Sequence, residues 1–64
     1  MKNRIRMARA AVSLTQEELA RRVGVSRQAI NHIENGKYLP SVALAMKIAK
    51  ELGMRVEELF FEEQ

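Results

Sequence analysis

Residues 16 to 35 read QEELARRVGVSRQAINHIEN, and this stretch decides the fold. Thr15 just before it and Glu18 within it have the spacing of a capping box, in which each side chain satisfies an orphan backbone N–H of the other's turn. Leu14, ahead of the cap, can staple onto Leu19. A helix therefore opens after Thr15 and ends at Gly24, a residue type that accepts the left-handed conformation without a Cβ penalty. Ser26 caps a further helix, which stops at Asn35-Gly36. Only Val23 to Val25 separate the two helices, so they cannot lie flat against each other and must cross steeply.

That crossing is the geometry of a helix-turn-helix. Small Ala20 falls where the two helices touch, and Leu19, Val23, Val25, Ile30 and Ile33 face a common core. An ordinary pair of antiparallel bundle helices would also need a turn glycine and apolar spacing; the offsets of Ala20 and Gly24, with two caps in register, favour the crossed pair. At about 100° per residue, with Arg27 as zero, Asn31, Asn35, Gln28 and His32 fall at roughly 40, 80, 100 and 140°. Ala29, Ile33, Ser26 and Ile30 fall between roughly 200 and 300°. One arc is apolar or capping, and the other holds no aliphatic residue. The major groove of duplex DNA admits an α-helix, and there Arg pairs bidentately with guanine and Gln or Asn with adenine. Each of these side chains taken singly has a bland alternative as a solvated surface residue. Their convergence on one arc is what points to base reading.

Outward from this pair the chain predicts helix throughout, because β-branched and aromatic residues nowhere alternate with polar ones. A helix over Asn3 to Val12 carries Ile5, Ala8 and Val12 on one face. Lys37-Tyr38-Leu39-Pro40 makes a loop, since Pro40 disfavours helical geometry at Leu39. Helix 4 runs from the cap Ser41 to Gly53, and helix 5 covers about Val56 to Phe61, with Glu62-Glu63-Gln64 expected to fray. The expected fold is all-α, a compact five-helix single domain over residues 1–64. Helix 4 has an apolar arc wider than one core face needs, running from Val42 through Leu44, Ala45, Ile48, Ala49 and Leu52, with Met46 at its margin. Leu59, Phe60 and Phe61 are expected to cover part of it and to place a phenylalanine in a two-fold interface. Intramolecular core for Phe60 and lone exposure for Phe61 are the alternative.

Composition closes off other classes. No cysteine, one histidine and no aspartate leave neither a disulfide nor a metal shell, and little with which to build a catalytic pocket. No cofactor and no enzymatic activity are expected. The longest uninterrupted apolar run, Val42 to Met46, is far short of the roughly 20 residues that span a bilayer, and Arg4, Arg6 and Arg9 interrupt the only candidate leader. A cytoplasmic protein is expected, with no membrane partner. Residues 1 to 37 hold eight Lys or Arg against three Glu, whereas residues 38 to 64 hold three against five, so the first half is the one suited to a polyanion.

The sequence resembles the Cro and phage-repressor type of helix-turn-helix regulators, the xenobiotic-response-element family. The likeness rests on Leu14-Thr15-Gln16-Glu17-Glu18-Leu19-Ala20, Val23-Gly24-Val25-Ser26, Ile30, Ile33-Glu34-Asn35-Gly36, Pro40-Ser41, Leu44-Ala45 and Ile48-Ala49, and covers nearly the whole chain. It implies a lambda-repressor-like domain that dimerises and reads short palindromic operators, as a repressor that often controls its own promoter. By position, it implies that Gln16 meets a phosphate and braces Gln28. Ser26, Arg27, Gln28, Asn31 and His32 would reach base edges or adjoining phosphates, and Asn35, Lys37 and Tyr38 would hold the backbone beyond the reading helix. It also implies an ion pair between Arg9 and Glu34. Departures from the pattern are Ala8 in place of a large aliphatic, Ser13 in place of glycine, the apolar Ala10-Ala11-Val12, and Arg55 in place of a serine cap. A protein-interaction module, such as an antitoxin or co-regulator built on the same fold, is the competing expectation, and its cue is the apolar margin of helix 4 with Phe60-Phe61.

Overall fold

The computed structural model describes residues 1–62; the expected fraying at Glu63 and Gln64 lies outside them. Five helices follow in order, α1 (Ile5–Ala11), α2 (Gln16–Val23), α3 (Arg27–Glu34), α4 (Val42–Leu52) and α5 (Val56–Leu59). Three of them begin where a hydroxyl replaces a missing backbone acceptor. The Glu18 N–H donates to Thr15 Oγ1 (3.0 Å) and the Thr15 N–H to Glu18 Oε1 (2.9 Å), closing the capping box. The Thr15 backbone N–H first, and the Thr15 hydroxyl after it, stabilise the carboxylate and hold the Glu18 carboxyl below its usual range. Ser26 accepts from the Ala29 N–H (3.0 Å) and Ser41 from the Leu44 N–H (3.1 Å). At the other ends Gly24 and Gly53 take left-handed φ values of 80° and 68°.

The turn between α1 and α2 takes the same left-handed bend with a residue poorly suited to it. Ser13 has φ 58° and is the one non-glycine residue with positive φ among those described. Its Cβ meets the following carbonyl in that conformation, at a cost of roughly 1 to 2 kcal/mol, part of which glycine returns as extra unfolded-state entropy. Ser13→Gly is therefore expected to stabilise the domain by about 0.5 to 1 kcal/mol. Urea denaturation should show a raised midpoint at unchanged slope.

The expectation of helix from end to end is corrected at both termini. Lys2–Asn3 (β1) and Phe60–Phe61 (β2) form an antiparallel pair, Lys2 opposite Phe61 and Asn3 opposite Phe60. Asn3 thus leaves the expected first helix and Phe60 and Phe61 the expected fifth, and Val12 is the C-cap of α1. Asn3 stands ahead of α1, its Oδ1 accepting from the Ile5 N–H (3.1 Å), and α5 is weakly begun. Arg55 offers no side-chain acceptor, so α5 has only half a capping box, the Arg55 N–H donating to Glu58 Oε1 (3.0 Å). Extended backbone at Phe60 then exchanges the helix for sheet, where an aromatic side chain is at home. The strands are held beyond their own ladder. Arg4 donates its N–H to the Leu59 carbonyl (2.9 Å) and Nη1 to that of Glu58 (2.7 Å), and its guanidinium lies 4.1 Å from the Phe61 ring centroid.

One core draws on every helix. Ile5, Leu19, Ile30, Ile33, Ile48 and Leu59 are fully enclosed, with Ala8, Leu14, Ala20, Val23, Ala49 and Leu52 around them. Val25 packs on it from the turn, half-buried. Val12 was expected beside Ile5 and Ala8 but is exposed, because α1 has already ended. On α4, Ala45, Ile48, Ala49 and Leu52 turn inward, while Val42 and Met46 face out.

Candidate nucleic-acid interface

The sharp turn that separates α2 from α3 is made by the carbonyl of Ala20, which accepts from both the Gly24 N–H (2.9 Å) and the Val25 N–H (3.0 Å). It sets α3 across the molecule with Ile30 and Ile33 fully buried beneath it. The opposite side of α3 carries Arg27 and Gln28, both exposed, and Asn31 and His32, both half-exposed. These four line one shallow polar depression. Between them they offer a guanidinium, two carboxamides and an imidazole to whatever lies against the helix.

The far end of α3 fixes how two of these groups point. Asn35 Nδ2 donates to the Asn31 carbonyl (2.9 Å) and to Asn31 Oδ1 (3.2 Å), which turns the Asn31 amide N–H groups away from Asn35. The Tyr38 ring stands edge-on to His32, with centroids 6.5 Å apart, and the Lys37 N–H donates to the His32 carbonyl (2.9 Å). Asn35, Lys37 and Tyr38 are themselves exposed beside this polar face. At the near end Ser26 is exposed; its oxygen caps the Ala29 N–H, and its own O–H remains available as a donor.

Beneath this face lies a buried carboxylate. The Glu34 side chain is 1% exposed and receives Arg9 Nε at 2.6 Å and Nη2 at 3.4 Å. Arg9, 14% exposed, also donates Nη1 to the Leu14 carbonyl (2.8 Å). Gln16 Nε2 donates to Glu34 Oε1 (3.0 Å), and Arg6 Nε lies 3.6 Å from that same oxygen. From the backbone side, Asn3 Nδ2 donates to the carbonyls of Ile33 (3.0 Å) and Glu34 (3.4 Å). The expected brace from Gln16 to Gln28 is corrected: a desolvated carboxylate is a stronger acceptor than an exposed amide, and it takes the Gln16 side chain. Arg6 and Asn3 escaped sequence reasoning, because pairing across three helices leaves no local period. The one available signal is the place of Glu34 seven residues after Arg27, at roughly 340° and so on the border between the two arcs of α3.

The C-terminal aromatic cluster is distributed differently from the expected two-fold interface. Leu59 is 0% exposed and has no surface to offer a partner; it belongs to the core. Phe61 lies under Arg4, and Phe60 is half-buried at the side of an apolar groove bounded by Met1, Leu39, Pro40, Val42, Ala45 and Val56. Val42 is 77% exposed and Leu39 63%, and Met1 and Met46 are also exposed. Among the described residues no helix is long and apolar enough to cross a membrane.

Residues 5–59 match the family model HTH_3, helix-turn-helix. An uncharacterised HTH-type transcriptional regulator of Methanocaldococcus jannaschii is 54% identical, over 98% of this chain and 96% of the relative. Among solved structures, the restriction-modification controller protein C.AhdI from Aeromonas hydrophila is 35% identical, with a TM-score of 0.80 over 89% of this chain and 86% of that one. The P22 c2 repressor protein, solved in complex with a synthetic operator, is 30% identical, with a TM-score of 0.81 over 84% and 82% of the two chains.

Proposed function

The chain belongs to the helix-turn-helix family HTH_3, and from that premise we propose that it binds duplex DNA sequence-specifically as a homodimeric transcriptional regulator in the cytoplasm. Residues 1–64 act as one DNA-binding domain, with α3 in the major groove. The observation that carries this reading is the outer side of α3, where Arg27, Gln28, Asn31 and His32 form an unbroken polar face over a fully buried Ile30 and Ile33. Arg27 adds weight because it stands at the first helical position, where the helix dipole disfavours a cation, and α3 has no acid in its first turn to offset it. A position that breaks a local rule without structural return is where function is to be sought. Ser26, Asn35, Lys37 and Tyr38 hold the phosphates around the read bases, and Gln16 holds one from the start of α2. Repression, including repression of the chain's own promoter, is the regulatory outcome we propose, and the likeness to the P22 c2 repressor supports the first part.

The second copy docks on the apolar groove beside α4. Leu39, Val42, Met46 and Met1 expose side chains that a domain of this size gains most by covering, and the face follows directly after the Lys37-Tyr38 phosphate contacts. A two-fold axis there would place two α3 helices in successive major grooves about 34 Å apart, on a palindromic site. Selection from random duplexes is expected to enrich a palindrome with half-sites one helical turn apart, and sedimentation at micromolar concentration to give a dimer that Val42→Glu dissociates. Enrichment of no duplex, or a monomer under those conditions, would contradict the respective half of the proposal. The exposed groove also supports the rival reading, a protein-interaction module. A tight protein partner combined with empty genomic footprints would establish that instead.

A further inference from the structure

We infer that Arg6 is a further phosphate-contacting residue, held beside Gln16 by the carboxylate they share; this rests on the DNA-binding reading above. Glu34 Oε1 lies 3.0 Å from Gln16 Nε2 and 3.6 Å from Arg6 Nε, so the two side chains emerge from one point on the surface although they start on different helices. The charge there does not balance. Glu34 carries one negative charge, and Arg9 claims it at 2.6 Å with a side chain that is mostly enclosed. Arg6 remains 69% exposed at a looser distance, with no hydrogen bond to any described residue. Arg6 and Arg9 against the single Glu34 leave a surplus of one positive charge at the mouth of the site. A guanidinium carries five donors, and the Arg6 head, nearest to Glu34 at Nε, hydrogen-bonds to no described residue, so donors are left to bind an anion. Gln16 has one amide N–H engaged by Glu34 and a second one with no hydrogen-bond partner among the described residues. A phosphate group seated between them receives a charged fork and an amide donor, both pre-positioned by a buried acid that solvent does not reach. Glu34 thus acts as a positioning residue for the contact, and Arg6 supplies its charge.

The test is the salt dependence of DNA binding by the full chain, measured on a selected duplex and on an unrelated one. Arg6→Ala is expected to flatten the slope of log K against log salt by about 0.9 per protomer on both duplexes, as loss of one phosphate contact does. Its unfolding midpoint should stay near that of the parent, because Arg6 is itself exposed and Glu34 keeps the closer Arg9 and Gln16. Arg6→Ala combined with Gln16→Ala should weaken binding by less than the product of the single effects, since both address one phosphate. Arg21→Ala serves as the control: it deletes an equally exposed cation on α2 whose one ion pair among the described residues is with Glu17 at 3.9 Å, and it should leave the slope alone. An unchanged slope for Arg6→Ala, with Arg27→Ala still altering base preference, would overturn the inference and spare the reading it rests on. Equal flattening by Arg21→Ala would also overturn it, by reducing the effect to net charge. If neither Arg6→Ala nor Arg27→Ala affects any duplex, the DNA-binding reading itself falls.

Discussion

Arg9→Ala is expected to lower the unfolding free energy by about 3 to 5 kcal/mol, the cost of stripping a buried charge of its partner. A domain of this length holds roughly 3 to 10 kcal/mol in all, so the variant should stand near the edge of folding at 25 °C. Glu34 is the reason. Its carboxylate is sealed among α1, α2 and α3, and without Arg9 it keeps only the Gln16 amide and the looser Arg6. Arg9 also anchors the α1–α2 turn through the Leu14 carbonyl, a bond lost with the side chain. The reverse substitution is expected to be milder. Glu34→Ala strands an arginine that is 14% exposed, keeps its bond from Nη1 to the Leu14 carbonyl, and can admit water to its remaining donors. Urea unfolding of the two single variants should therefore rank Arg9→Ala below Glu34→Ala by 1 kcal/mol or more at the order of magnitude. The double variant Arg9→Met/Glu34→Met should recover most of the loss, because it removes both charges and fills the space with apolar atoms. A cost below about 1 kcal/mol for Arg9→Ala would place this pair with ordinary surface ion pairs and refute its assignment as a structural joint.

The parts of the fold legible in the sequence are those whose physics fits inside four or five residues. Thr15 and Glu18 cap each other, Ser26 and Ser41 each cap an N–H three residues on, and Gly24 and Gly53 close their helices, so every one of those boundaries is written locally. The two sides of α3 were legible for the same reason: Ile30 and Ile33 recur at helical spacing, and the polar arc is whatever that spacing leaves over. Pairings between distant segments were not. A two-residue strand is too short to show alternation, so Lys2–Asn3 against Phe60–Phe61 left no trace in the pattern. The wide apolar arc of α4 was visible, but periodicity does not say which margin a neighbour covers, and Leu59 proved to fill the core while Val42 was left bare. At the interface, residue types on one arc could be collected from the sequence, whereas the diversion of Gln16 to Glu34 required knowing that a carboxylate 18 positions away is buried.

Arg27→Ala should weaken binding to the preferred duplex by about 1 to 3 kcal/mol, some five- to 150-fold, and relax the base preference at one position of each half-site. The side chain is exposed, stands at the first position of α3 and makes no ion pair or hydrogen bond among the described residues, so nothing in the fold depends on it. Unfolding stability should accordingly stay within about 0.5 kcal/mol of the parent, which separates loss of recognition from loss of structure. Lys37→Ala is the necessary contrast. Lys37 lies beyond α3, fixed by its backbone N–H to the His32 carbonyl while its side chain remains exposed, and in the proposed complex an ammonium group there would meet the backbone of the duplex rather than a base edge. Its removal should weaken every duplex alike and flatten the salt slope, with base preference intact. The two variants thus fail in different directions: one loses discrimination at nearly constant salt slope, the other loses salt slope at constant discrimination. Should both simply weaken all duplexes to the same degree, α3 would be docking on phosphates without reading bases, and specificity would have to come from the shape of the DNA.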